Sequence, residues 1–148
     1  MPDQETLERA HEDAAEGKSP STQAGEFVRE EIEHVREGKH GARSAKQAIA
    51  IGLSKARRAG VKLPPPGRSN TSKQTRRKAE LDEKAAKKRH KPSAKRSRAT
   101  EAALKREGRE SASPRALSRQ SHKAASNRTR KDRSAAEKKA ARARKHRS

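Results

Sequence analysis

The chain lacks cysteine, tryptophan and tyrosine, and it has a single phenylalanine, Phe27. Without cysteine there is no disulfide framework, no thiolate nucleophile and no cysteine metal site. Hydrophobic residues make up 27% of the sequence, and no run approaches the roughly 18 apolar residues of a membrane-spanning helix. The N-terminus is acidic rather than basic and then apolar, which excludes an ordinary secretory signal. We therefore expect a cytoplasmic protein.

What the chain has in excess is positive charge. Lysine and arginine number 40 against 19 acidic residues, which gives a formal net charge of +21. Residues 1–37 carry 4 basic and 11 acidic side chains, whereas residues 61–148 carry 30 basic and 8 acidic ones. Low hydrophobicity combined with high net charge is typical of disorder. This division predicts an acidic head and a basic arm that binds nucleic acid.

One segment, residues 44–60, carries strong signals for a definite helix. Ser44 and Gln47 have the spacing of a capping box at its start, and Gly60 can end it in the left-handed conformation. Alanine, glycine and large apolar residues share one face, while lysine and arginine occupy most of the remaining circumference. The small residues on the apolar face predict close approach of a neighbouring helix.

A second amphipathic helix precedes this segment, with Ser19 as its N-cap and Pro20 at its first position. A short glycine-containing connection joins the two, which predicts a helical hairpin over residues 19–63. Because the hairpin buries little apolar surface, we expect it to be marginally stable and to self-associate or bind a protein partner. Its predicted core consists of Val28, Ile32, Val35, Ile49 and Leu53.

Four glutamates recur at helical spacing on the opposite face of the first hairpin helix: Glu26, Glu30, Glu33 and Glu37. Like charges at this spacing destabilise a helix by about 0.2–0.5 kcal/mol per pair. Two interpretations remain open. The ridge is either a solvated face that keeps the protein soluble or a docking strip for basic side chains, including those of the chain's own tail.

The remaining segments flank the hairpin. Residues 1–18 form an acidic N-terminal segment with a possible short helix, and residues 64–148 form a basic low-complexity tail that begins with three prolines. The expected fold is all-α, a small helical hairpin followed by a long, largely disordered or nascent-helical basic tail. Stretches rich in helix formers predict the nascent helices: residues 74–90, 94–107, 114–125 and 133–146.

The density of cations predicts nucleic-acid binding, because lysine and arginine release counterions from phosphates without exact placement. The basic region has no aromatic side chain to stack on bases and no zinc-finger, RNA-recognition or KH signature. Binding should therefore ignore sequence, with DNA favoured over RNA, as in a nucleoid-associated or condensing protein. The expected phosphate contacts are Arg57, Arg58, Arg76, Arg77, Lys78, Lys87, Lys88, Arg89, Lys91, Lys95, Arg96, Arg98, Arg128, Arg130, Lys131, Arg142, Arg144 and Lys145.

The alternative function is that of an adaptor, in which the hairpin binds a protein partner or self-associates and the tail is a tether or solubiliser. The six histidines fit no metal-ligand spacing, and His34 with His40 would need help from carboxylates that the intervening sequence does not arrange. We therefore expect exposed histidines and no metal site. Nothing in the sequence resembles a phosphate-binding glycine loop or a nucleophile–base pair, so we expect no cofactor and no enzymatic activity.

Residues 16–32 and 38–60 also resemble a known family. The second stretch contains Lys46-Gln47-Ala48-Ile49-Ala50-Ile51 and continues to Gly60. It is similar to a functionally uncharacterised family of small basic bacterial proteins with a KQAIAIGLSKARRAG-type helical core. The resemblance spans about residues 16–63. It implies a bacterial cytoplasmic protein and supplies no activity.

Overall fold

The computed structural model describes residues 1–65, 71–88 and 93–147. Over these ranges the chain forms seven α-helices and a short 3-10 turn, Glu110–Ala112. None of the described helices has the length and apolarity needed to cross a lipid bilayer. The helices are α1 (Gln4–Ala15), α2 (Pro20–Glu37), α3 (Ala45–Arg58), α4 (Lys73–Lys88), α5 (Ala94–Lys105), α6 (Pro114–Ser126) and α7 (Arg130–Arg147).

The first three helices confirm the local signals in the sequence. Ser44 Oγ accepts a hydrogen bond from the Gln47 amide at 3.2 Å, as a helix N-cap should. The Gln47 side chain accepts from the Arg43 amide at 2.7 Å, one residue before the position that a strict capping box uses. Three glycines just past the helix ends have left-handed φ angles: Gly17 (71°), Gly38 (78°) and Gly60 (100°).

The helices α2 and α3 pack as the predicted hairpin, and α1 lies against α2. The close approach that the small residues predict is confirmed at Gly52. A Cβ added there would lie 2.6 Å from the Val28 Cα and 3.0 Å from the Phe27 carbonyl oxygen. Only a residue without a side chain lets the two backbones come this near.

The core consists of two clusters rather than one seam. Phe27 is fully buried in the first cluster, together with Ala10, Ala24, Ala56 and Val61, and with Leu7, Leu53 and Leu63 packed against them. The second cluster holds Val35, Ala42, Ala48 and Ala112, with Ile32 packed against it. Of the predicted core residues, Val35 is buried, whereas Val28, Ile32, Ile49 and Leu53 are half-buried.

The prediction of a small hairpin with a long, largely disordered tail is wrong. Helices α4 to α7 lie near the four stretches rich in helix formers, although residues 89 and 90 of the first stretch lie outside the described residues. The expected segment boundaries, 18/19 and 63/64, fall between α1 and α2 and between α3 and α4. The last of the three prolines, Pro66, also lies outside the described residues.

Two parts of the basic half dock on the hairpin, which explains why disorder was the wrong prediction. Helix α4 packs against α3 through the buried Asp82, which accepts from Ser54 Oγ at 2.5 Å and from Arg58 Nη2 at 3.0 Å. The 3-10 turn inserts Ala112 into the second core cluster, and Arg36 Nε donates to the Ala112 carbonyl at 2.9 Å. Docking therefore depends on an aspartate and an alanine.

Residues 104–112, which we call the docked segment, also contact the connection between α2 and α3. The Gly41 amide donates to the Leu104 carbonyl at 2.8 Å, and the Ala42 amide donates to the Gly108 carbonyl at 3.1 Å. A Cβ on Gly41 would lie only 1.9 Å from the Glu107 carbonyl oxygen. The glycine is therefore required for this contact between the two halves of the chain.

Candidate functional site

The surface of the basic half is a set of cationic helices. Helix α7 has nine lysine or arginine residues and two acidic ones, α5 has four and one, and α6 has three basic residues and no acidic one. Within the part of the chain that the structure describes, neither α5 nor α7 packs against another helix. Their cations consequently face solvent over most of each helix.

Most of the predicted phosphate contacts are exposed. Arg76 is half-buried, Lys87 pairs with Glu83 at 3.4 Å, and Arg89 and Lys91 lie outside the described residues. The structure distributes the exposed cations over α4, α5, α7 and the turn before α7 rather than gathering them at one point. Besides Arg58 on α3, the exposed residues are Arg77, Lys78, Lys87, Lys88, Lys95, Arg96, Arg98, Arg128, Arg130, Lys131, Arg142, Arg144 and Lys145.

Two predicted contacts occupy structural positions instead. Arg57 is only 7% exposed, and its Nη2 donates to the Pro64 carbonyl at 3.4 Å. Burial lowers the pKa of the Arg57 guanidinium, against the opposing effect of the Asp82 and Glu83 carboxylates. Arg58 pairs with Asp82 and so joins α3 to α4. Both arginines serve the packing of these helices.

A cavity of about 310 Å³ opens at the start of α3, against α6 and the 3-10 turn. Arg43, Arg119 and Lys123 line it with three positive charges, against one negative charge from Glu110, and Arg43 also lies 3.7 Å from Glu107 Oε1. Ser111 also lines it; its residue is 8% exposed and its buried Oγ has no hydrogen-bond partner. Because the N-terminal end of a helix carries partial positive charge, the cavity favours an anion.

The acidic ridge of α2 is paired with nearby cations. Glu26, Glu33 and Glu37 contact Arg9, Arg29 and Lys39 at 2.9, 3.1 and 3.2 Å respectively. Glu30 is only 3% exposed and so does not belong to a solvated face; it binds a basic side chain of another helix, Lys55, at 3.0 Å. The ridge is therefore not a free strip of negative charge.

Glu30 and its neighbour Glu31 are buried around one lysine. Lys55 Nζ lies 3.0 Å from Glu30 Oε1 and 2.8 Å from Glu31 Oε2, and Glu31 is fully buried. Burial acts to raise the pKa of Glu30, but hydrogen bonds from the Asp3 amide, Lys55 and Thr6 outweigh it and lower that pKa. Burial likewise acts to lower the pKa of Lys55, yet the two glutamates raise it.

The expectation of exposed histidines is wrong for His34 and His40, whose side chains are 12% and 16% exposed. His34 Nε2 lies 3.0 Å from Asp3 Oδ2, a hydrogen bond that lowers the pKa of Asp3. His40 Nε2 lies 3.1 Å from Glu31 Oε1. The carboxylate beside His40 is Glu31, one turn before His34 on α2, and the carboxylate beside His34 is Asp3, near the N-terminus. The sequence signal for the contact between histidine and glutamate was the Glu30-Glu31-x-x-His34 pattern, which puts these side chains on adjoining positions of one helix.

Fold and surface together define an all-helical protein in which α4, the 3-10 turn and α6 of the basic half pack against the helical hairpin, whereas α5 and α7 pack against no other described helix. Residues 17–66 match the model of a family of unknown function, DUF6496, which agrees with the resemblance to an uncharacterised family. The match covers the hairpin and ends before α4. No curated protein and no solved structure matches the chain.

Proposed function

We propose that this protein binds double-stranded nucleic acid, DNA in particular, through its phosphate backbone and without reading sequence. The observation that supports this most is the exposure of the cationic helices α5 and α7, which pack against no other helix of the described chain. The ridge glutamates pair with cations of the first half of the chain, such as Arg9 and Lys39. The ridge thus leaves most of the positive charge of the basic half available to a ligand, apart from cations paired within that half, such as Lys87 and Lys105.

The charge spacing of α7 suits a nucleic-acid strand. Its 18 residues span about 27 Å at a rise of about 1.5 Å per residue. Nine cations and two carboxylates give this length a net charge of +7, about one positive charge per 4 Å and comparable to the charge density of a nucleic-acid strand. Phosphates would also relieve the repulsion between like charges on the helix. A nucleic-acid backbone therefore has the charge density needed to neutralise this helix.

The cavity at the start of α3 adds a defined phosphate contact. Arg43, Arg119 and Lys123 supply the charge, and the Ser111 hydroxyl supplies a donor that the protein itself does not use. A phosphate oxygen held here would fix the position of the backbone relative to the folded half. The remaining contacts on α5 and α7 would then add affinity by counterion release.

The basic half contains no aromatic residue, so it offers no platform on which the bases of a single strand could stack. We accordingly assign the duplex rather than a single strand as the ligand. In a bacterial cell such a protein would act at the nucleoid, where it would coat or condense DNA.

The cavity provides a sharp test of this function. The double variant Arg119→Gln and Lys123→Gln removes two cavity charges, and the control Arg29→Gln and Lys39→Gln removes two charges that pair with Glu33 and Glu37. We expect the cavity variant to lower duplex affinity and to reduce the salt slope by about 2, whereas the control should leave both nearly unchanged. Equal losses in fluorescence anisotropy, or no binding by the unaltered chain at low salt, would refute the proposal.

A further inference from the structure

Glu31, His34 and His40 form a cluster at the end of α2, which we call the histidine cluster. One potential ligand atom from each residue lies within 4.8 Å of the other two. Glu31 and His34 belong to successive turns of α2, and His40 belongs to the connection that follows Gly38. The cluster therefore joins a rigid helix to the loop on which the basic half docks.

The hydrogen bonds of the two rings leave a nitrogen lone pair on each. A carbonyl oxygen only accepts, so His40 Nδ1–H donates to the Gly41 carbonyl at 3.0 Å. A carboxylate likewise only accepts, so His34 Nε2–H donates to Asp3. In the neutral rings, the free lone pairs are consequently on His40 Nε2 and on His34 Nδ1, which lies 4.0 Å from Glu30 Oε1. Outer partners of this kind orient most metal-binding histidines.

His40 Nε2 faces a carboxylate, which is unfavourable unless a proton or a metal ion lies between them. His40 Nε2 is 3.1 Å from Glu31 Oε1. Both Glu31 oxygens are buried; Lys55 Nζ lies 2.8 Å from Oε2, whereas Oε1 has no hydrogen-bond partner among the described residues. Two ligands at about 2.0–2.1 Å from a tetrahedral zinc ion lie about 3.3 Å apart, close to the observed separation.

The charge of the surroundings also calls for a cation. Asp3, Glu30 and Glu31 carry three negative charges, and Lys55 contributes one positive charge. With neutral imidazoles the group has a net charge of −2, which one divalent ion would cancel. Buried carboxylates are costly unless they are paired or bound to metal.

We propose that Glu31, His34 and His40 bind one divalent transition-metal ion of the zinc class. Imidazole nitrogen with carboxylate oxygen is a ligand set that suits zinc, whereas magnesium and calcium prefer oxygen ligands alone. Asp3 and the Gly41 carbonyl orient the two rings from outside. This site is independent of the nucleic-acid function proposed above.

The test uses the full chain after removal of metal by a chelator. Calorimetric titration with Zn²⁺ should show one saturable site, and Co²⁺ should give the visible absorption of a four-coordinate ion. His40→Ala should weaken Zn²⁺ binding more than about 100-fold, beyond the usual loss for an outer partner. The matched control is His122→Ala, which removes an exposed histidine on α6. Mg²⁺ should not compete.

Circular dichroism without metal separates loss of a ligand from loss of the fold. If His40→Ala changes the helical signal, the Co²⁺ spectrum of the unaltered chain decides, because it needs no variant. The proposal is overturned by the absence of saturable Zn²⁺ binding or of the four-coordinate Co²⁺ spectrum. It is overturned equally if His122→Ala reduces the affinity as much as His40→Ala does.

Discussion

Replacing Gly52 by alanine tests how closely α2 and α3 approach each other. The added Cβ would lie 2.6 Å from Val28 Cα, 2.9 Å from Val28 N and 3.0 Å from the Phe27 carbonyl oxygen. All three atoms belong to the backbone of α2, so no side-chain rotation can relieve the contact. The two helices must therefore move apart where Gly52 faces Val28.

The size of the effect follows from two opposing terms. Alanine is favoured over glycine inside a helix by about 0.8–1.0 kcal/mol. Overpacking of this kind costs about 1–3 kcal/mol. The variant Gly25→Ala provides the first term alone, because Gly25 lies inside α2 with nothing within 4 Å of its added Cβ. The difference between the two variants consequently isolates the steric cost.

Thermal unfolding followed by circular dichroism measures this difference. At about 2–4 °C per kcal/mol for a chain of this size, Gly52→Ala should melt about 2–12 °C below Gly25→Ala. Gly25→Ala itself should melt slightly above the unaltered protein. If Gly52→Ala is as stable as Gly25→Ala, the close approach of α2 and α3 is not a feature of the folded protein.

Two further substitutions test other contacts. Gly41→Ala would place a Cβ 1.9 Å from the Glu107 carbonyl oxygen and should release the docked segment. Limited trypsin digestion would detect this release as faster cleavage after Arg106 and Arg109, and unchanged cleavage would contradict it. Lys55→Met would leave two buried glutamates without their shared cation and should lower the free energy of unfolding, measured by urea denaturation, by about 3–5 kcal/mol. The control Lys46→Met, on the exposed face of α3, should change that free energy little. Similar losses for both variants would count against the buried ion pairs.

The helix ends were predictable because short-range chemistry decides them. Ser19 and Ser44 cap helices through hydroxyl groups that reach an amide three residues on, and Gly60 adopts a conformation that other residues avoid. The resemblance over the hairpin also agrees with the match over residues 17–66. These features need no knowledge of which helix packs against which.

The folding of the basic half was not predictable from hydrophobicity. Ala112 is fully buried and Asp82 nearly so, yet neither differs from the many alanines and charged residues that stay exposed. The histidine cluster was missed for a related reason, because His40 reaches Glu31 from the connection after α2, and Lys55 reaches it from α3, only once the chain has folded. Burial of a charge depends on its partner, and the partner is set by tertiary structure.

The salt dependence of duplex DNA binding by the full chain tests the central claim most directly. Fluorescence anisotropy with two duplexes of equal length and unrelated sequence should give equal affinities at every salt concentration. If about 6 to 10 cations meet phosphates, both affinities should fall by about 10³ to 10⁵ between about 50 and 200 mM salt. A nearly flat salt dependence, or a strong preference for one of the two sequences, would contradict the account.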